Sequence, residues 1–209
     1  MPQKSGKLKT QKFYDRIADV HNLIMKFNGY ENSLAKYLRA ADLELNENSL
    51  VLDAGSGSGI VTMGFYKAGF RPRRTVALDL SLNLLKISAE QFKSASDNIS
   101  AVQGNIVKLP FADETFDLIL SCGVLEYVAL DKGLKEFARV LKTGAKLVLI
   151  PVRPSLVGSI LEKLYDFKTL SAEKMNRISE KYFEISGVHK FSFFEPIGWS
   201  KRVFLLQKK

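Results

Sequence analysis

Val51-Leu-Asp-Ala-Gly-Ser-Gly-Ser-Gly59 decides how this chain is read. Ser49 to Leu52 has the character of a buried strand, ending on the carboxylate of Asp53 and breaking into three alternate glycines. A helix is expected to open at about Ser58, with Ile60, Val61, Phe65 and Ala68 on one side. Glycine has no Cβ, so the backbone can turn sharply and a ligand can approach the main chain. The following helix aims unpaired N–H groups and a positive dipole end at that ligand. Such a strand–glycine loop–helix element suits a nucleotide-like ligand.

Several ligand classes use it, and the spacing selects among them. A dinucleotide fingerprint G-x-G-x-x-G needs a third glycine. Counting from Gly55 finds Ile60 there, and counting from Gly57 finds Thr62. A phosphate loop G-x-x-x-x-G-K-[ST] fails because Phe65, not lysine, follows Gly64. Asp53 would repel a pyrophosphate and welcome a cationic amino group. Asp53-Ala-Gly-Ser-Gly-Ser-Gly59 resembles motif I of the class I S-adenosyl-L-methionine-dependent methyltransferases, and more narrowly the type 11, ubiquinone/menaquinone-biosynthesis-like family. Their ligand carries an α-ammonium and a sulfonium and no phosphate.

Downstream runs strengthen the resemblance. Arg74 to Leu78 reads as a second strand ending on Asp79, about twenty positions after the glycines, where a carboxylate can accept from both ribose hydroxyls. The alternative is a carboxylate serving the next helix's dipole, although Ser81 already supplies a cap. A third strand, Ile99 to Gln103, leads into Gly104-Asn105-Ile106, similar to the family's adenine-contacting triplet, with Asn105 as acceptor and the Ile106 N–H as donor. Leu109-Pro-Phe-Ala-Asp-Glu-Thr-Phe116-Asp117 resembles the family's turn into strand four. That strand ends in Ser121-Cys-Gly-Val-Leu-Glu-Tyr127-Val, and Glu136-Phe-Ala-Arg-Val-Leu-Lys-Thr-Gly144 resembles the E-x-x-R-V-L-K-P-G-G of the same families.

The resemblance implies cofactor contacts from Asp53, Ala54, Gly55, Ser56, Gly57, Gly59, Asp79, Leu80, Asn105, Ile106 and Ser121. Phe13-Tyr-Asp-Arg-Ile-Ala-Asp-Val-His21-Asn is similar to an opening segment that lids the cofactor in many small-molecule methyltransferases. His21-Asn22 replaces the usual second Tyr-Asp. Tyr14, His21 and Tyr127 are candidate catalytic groups, and Glu126 and Arg153 candidate acceptor contacts; packing or surface roles are the alternatives. The cofactor implied is S-adenosyl-L-methionine, leaving S-adenosyl-L-homocysteine, with no metal.

Composition bounds the partners. The 209 residues, 46% hydrophobic and 25% charged, suffice for one sizeable core. Cys122, His21 and His189 are the only cysteine and histidines, which excludes a disulfide framework and argues against structural zinc. There is no apolar run of spanning length and no signal-peptide pattern, so a cytoplasmic location is expected. The net charge of +9 is concentrated at the ends: Lys4, Lys7, Lys9 and Lys12 in one, Lys201, Arg202, Lys208 and Lys209 in the other. These read as basic tails, either solubilising or attracted to an anionic membrane surface or nucleic acid. The absence of interleaved basic and aromatic residues speaks against a nucleic-acid partner.

Phe13, Ile17, Val20, Ile24 and Phe27 form one helical stripe, and Leu34, Tyr37, Leu38 and Ala41 a second. The helix from Asp131 to Leu141 should end at Thr143-Gly144, before a fifth strand from Ala145 to Val152. Tyr182 to Val188, Lys190 to Glu195 and Arg202 to Gln207 have strand character.

The whole reads as a doubly wound α/β fold with a mostly parallel seven-stranded sheet and an antiparallel last strand. One domain over 1–209 divides into a helical lid (12–45), a cofactor core (49–152), a helical cap (153–181) and closing strands (182–208). The function implied is direct methyl transfer to a small molecule, lipid- or quinone-like acceptors included, by a monomer or homodimer. Rival readings are a methyltransferase acting on RNA or protein, a non-catalytic binding protein of the same fold, and a nicotinamide oxidoreductase.

Overall fold

The computed structural model describes residues 29–209. The helix expected from the Phe13-to-Phe27 stripe lies outside the described residues. Within them the order is α1 (Tyr30–Ala40), β1 (Leu50–Ala54), α2 (Ile60–Lys67), β2 (Arg74–Asp79), α3 (Leu82–Phe92), β3 (Ile99–Gln103), β4 (Phe116–Cys122), α4 (Leu130–Val140), β5 (Leu141–Ile150), α5 (Leu156–Tyr165), α6 (Ala172–Ser179), β6 (Phe183–His189) and β7 (Val203–Lys208). The seven strands lie in the order β3-β2-β1-β4-β5-β7-β6. Every pair through β4–β5 is parallel, and β7 is antiparallel to both neighbours.

Successive side chains of a strand point to opposite faces, and here both faces are covered, so the central strands are near-continuous apolar runs. Val51, Leu118, Leu120 and Val148 meet Leu34 and Leu38 of α1 and Val61 and Phe65 of α2. Leu52, Ile119, Leu147 and Leu149 meet Leu134 and Phe137 of α4 and Met175 of α6 on the other face. Each fully buried side chain of this kind contributes roughly 1.5–3 kcal/mol.

Three local expectations are corrected. Helix α4 ends at Val140, and Leu141 already pairs with Phe116, so β5 begins before Thr143-Gly144. Lys190 to Glu195 is not a strand. The Ser192 N–H bonds to Glu195 Oε2, the Glu195 N–H bonds back to the Ser192 carbonyl, and a short 3-10 turn follows at Pro196–Trp199. The basic C-terminal end is no tail. It is β7, an interior strand, where Lys208 donates to the Leu141 carbonyl and pairs with Glu114 at 3.1 Å.

The 109–117 turn is held by one guanidinium. Arg139 donates to the Leu109 and Phe111 carbonyls, to Asp113 at 2.7 Å and to both oxygens of Glu136 at 2.9 Å. Glu136 in turn accepts from the Leu109 N–H. Asp117 at the end of the turn accepts from the Leu50 N–H at 2.8 Å, fastening the foot of β1. Arg139→Met is expected to lower stability by about 2 kcal/mol, read as the urea midpoint, because several charge-assisted bonds to partly buried carbonyls are lost together. Arg139→Lys should recover only part of it, since an ammonium cannot span the fork.

Candidate cofactor and acceptor site

The order of strands reverses between β1 and β4, and in such sheets ligands sit at the carboxyl ends of the strands beside that point. The glycine loop lies there. Gly55, Gly57 and Gly59 have φ of +77°, +54° and +90°, the left-handed region that L side chains rarely adopt. At Gly55 a Cβ would stand 2.6 Å from Val124 Cγ2, and at Gly59 2.6 Å from Phe92 Cε1, so the spaces are already filled. The Gly55 and Ser56 N–H groups both donate to the Leu78 carbonyl.

Asp53 is fully buried at the foot of this loop. Its Oδ2 accepts from the Thr62 hydroxyl at 2.6 Å and the Thr62 N–H at 3.1 Å. Its Oδ1 is buried with no hydrogen-bond partner. Burial pushes the carboxyl up to about 7; the Thr62 bonds oppose this and the Asp79 charge adds to it. A carboxylate so placed lacks a cation. Thr62 occupies the position where a dinucleotide fingerprint would carry glycine, and its hydroxyl is what orients Asp53; sequence reading noted the missing glycine but not this partner.

The other expected positions fall around the loop. Asp79 accepts from the Gly57 N–H and the Ser81 N–H, both at 2.8 Å, so it shapes the loop and starts α3. A carboxylate offers about four acceptor sites, so these bonds and a ligand hydroxyl are compatible. Ser81 also caps α3 through the Leu84 N–H. Leu80 is exposed, its carbonyl accepting from Gln103. Asn105 Oδ1 accepts from the Val107 N–H at 3.2 Å, closing a tight turn, and Ile106 is buried. Ser121 is buried and donates to the Ala54 carbonyl at 2.9 Å, joining the ends of β4 and β1. The Ser56 hydroxyl is buried without a partner.

The acceptor-side candidates diverge. Glu126 turns inward: Oε1 accepts from the Val152 N–H, and Oε2 is buried and unpaired. The Tyr127 ring meets Phe167 edge-on at 5.4 Å. Arg153 donates to the Gly198 carbonyl at 3.0 Å, so its guanidinium ties the segment after β5 to the 3-10 turn. Tyr14 and His21 lie outside the described residues. Sequence reading missed Lys201, counted with the basic end; it is 7% exposed and stands near Cys122, Glu126 and Tyr30. Its position just ahead of the apolar Val203–Leu206 run was the available signal, because an antiparallel strand starts at the carboxyl edge of its parallel neighbours. Among the described residues no helix is long and apolar enough to cross a membrane, and no group of His, Cys, Asp and Glu is arranged to hold a metal.

Comparison with known proteins agrees with this geometry. Residues 52–149 match the family model described as a methyltransferase domain. An uncharacterized protein of Methanocaldococcus jannaschii is 40% identical over 69% of this chain and 56% of its own length. A demethylmenaquinone methyltransferase of Thermobifida fusca is 32% identical over 68% of this chain and 62% of its own. The chain thus spans less than two thirds of these curated relatives. Among solved structures, a chain from the complex between the Haloferax volcanii Trm112 methyltransferase activator and a methyltransferase superposes with a TM-score of 0.76. It is 17% identical over 95% of this chain and 97% of that one, a likeness of fold. Glycine loop, strand order and family match together make residues 52–149 a methyltransferase domain.

Proposed function

We propose that this chain transfers a methyl group from S-adenosyl-L-methionine directly to a small-molecule acceptor. The observation that carries the reading is the buried, unpaired Oδ1 of Asp53 at the foot of three left-handed glycines. A phosphate would add negative charge beside that oxygen, whereas an α-ammonium supplies the missing donor. When bound, the cofactor supplies an electrophilic methyl on a sulfonium.

The protein's own work is then placement and exclusion of water. Asp53 and the main chain of Ala54, Gly55, Ser56, Gly57 and Ser121 would hold the amino-acid end. Gly59 opens α2 behind the loop, Asp79 would take the ribose hydroxyls, and Leu80, Asn105 and Ile106 would border the adenine. These contacts supply affinity more than rate, since they do not change as the methyl moves.

Exposed apolar side chains support a lipid- or quinone-like acceptor: Leu156, Ile160 and Leu164 on α5, with Phe193, Phe194 and Trp199. The Thermobifida relative's name points the same way. Incubation with methyl-labelled cofactor and cell extract is expected to put label into solvent-extractable small molecules. Label in RNA or protein would overturn the acceptor class. Binding of S-adenosyl-L-homocysteine without any transfer would favour a non-catalytic protein.

A further inference from the structure

A buried cation stands at the carboxyl edge of the sheet without a bonded carboxylate. Lys201 is 7% exposed and bridges Val152 through an isolated antiparallel contact. No ion pair among the described residues includes it. Its Nζ lies 2.7 Å from where a Cβ on Gly123 would be, so the ammonium rests over the main chain just beyond β4. Cys122 of β4 bonds to it, Glu126 of the turn after β4 and Tyr30 of α1 lie near it, and Asp53 of β1 lies near Cys122. The Tyr30 hydroxyl is held 3.2 Å from Ser200 Oγ, next to Lys201 in the chain. The residue after Gly123 is Val124, which covers Gly55. The cluster therefore borders the glycine loop on the side of the sheet that carries β5 and β7.

We infer that Lys201 and Glu126 form the polar end of the acceptor pocket and select a neutral acceptor carrying an acidic hydroxyl, a phenol or an enol. The acceptor's O–H bond breaks, its proton passes to the unpaired Oε2 of Glu126, and the electron pair stays on the oxygen facing Lys201. The inference rests on the methyl-transfer reading of the neighbouring loop. Charge balance favours it. An acceptor arriving as an anion would leave uncompensated charge in a buried site, whereas one that hands its proton to Glu126 leaves the pocket's net charge unchanged. Burial raises the Glu126 carboxyl above the ordinary carboxylate range, against the opposing pull of Lys201 and the Val152 N–H, which makes it a stronger base than an exposed glutamate. Burial disfavours the charged Lys201, but Cys122, Glu126 and Tyr30 outweigh it and keep the ammonium protonated.

The probe is 4-nitrophenol, whose phenolate is yellow. With the protein loaded with S-adenosyl-L-homocysteine, the bound probe is expected to ionise about 1 to 3 pH units below its value in water, the shift a neighbouring cation produces. Lys201→Met should bind it at least about tenfold more weakly and lose the yellow band, and Lys201→Arg should keep both. In Glu126→Gln, binding should release to the buffer a proton that the wild type retains. A probe that stays neutral in the wild type, fails to bind, or ionises equally in Lys201→Met overturns the inference. The wild-type titration needs no variant, so a Lys201→Met chain that does not fold leaves the test decisive. Calorimetry on the same samples separates the two claims. Homocysteine-cofactor binding with a neutral probe removes the pocket alone, and a yellow bound probe without such binding keeps the pocket and removes the methyl-transfer reading.

Discussion

Asp53→Asn is expected to weaken S-adenosyl-L-homocysteine binding about 10- to 100-fold, the loss of one charge-assisted bond to a buried group. The same variant should make the ligand-free protein more stable above neutrality. The sign follows from the carboxyl's environment. Its folded value is about 7 against an ordinary 3.8, so the folded state holds this proton more tightly than the unfolded chain. Stability contributed at Asp53 is therefore greatest at acid pH and falls as pH rises from about 4 through about 7, by a total on the order of 4 kcal/mol. Asparagine can keep the oxygen that accepts from Thr62 but has no proton to lose. Urea midpoints of the ligand-free proteins, taken between about pH 5 and about pH 8, should fall in the wild type and stay level at this site in the variant. A gain in stability paired with a loss of binding marks a residue kept for its ligand.

Gly55→Ala should cost about 3 kcal/mol, part from a left-handed backbone and part from overlap with Val124. The added Cβ would meet three Val124 atoms at 2.6 to 2.9 Å, and Val124 is itself packed against the core. Gly144 provides the internal control. Its φ is +76°, nearly the same, yet nothing lies within 4 Å of a Cβ there. Gly144→Ala should therefore show the backbone cost alone, about 1 kcal/mol. Adding Val124→Ala to Gly55→Ala should recover about 1–2 kcal/mol, a coupling read from a double-mutant cycle in urea. Failure to recover would mean that the close approach to Val124 is not what demands glycine.

Much of this molecule was legible in its sequence for physical reasons that act locally. Val51-Leu52, Leu118 to Leu120 and Leu147 to Ile150 are apolar at every position because both sheet faces are covered, and such runs stand out. The glycine loop is legible because left-handed backbone at three alternate positions leaves little choice of residue. What was hidden depends on contacts between distant segments. Lys201 looked like part of a charged tail, yet β7 enters the sheet between β5 and β6 and brings that lysine beside Glu126. Phe191, Ser192, Phe193 and Phe194 suggested a strand, but Glu195 and the Trp199 indole, which donates to the Phe193 carbonyl, fold the segment back on itself. Arg153, expected to be an acceptor contact or a surface arginine, has in the Gly198 carbonyl a partner 45 positions away that local sequence does not reveal.

The most direct measurement is a calorimetric titration of the wild type and Asp53→Asn with S-adenosyl-L-homocysteine and, separately, with NADH, at several pH values. The wild type is expected to bind the homocysteine compound more tightly as pH rises through about 7, releasing a proton below it, because an ammonium at Asp53 favours the ionised carboxyl. NADH should not bind. Tight NADH binding, or homocysteine-compound binding indifferent to both pH and Asp53→Asn, would show that the buried carboxylate does not grip a cationic ligand.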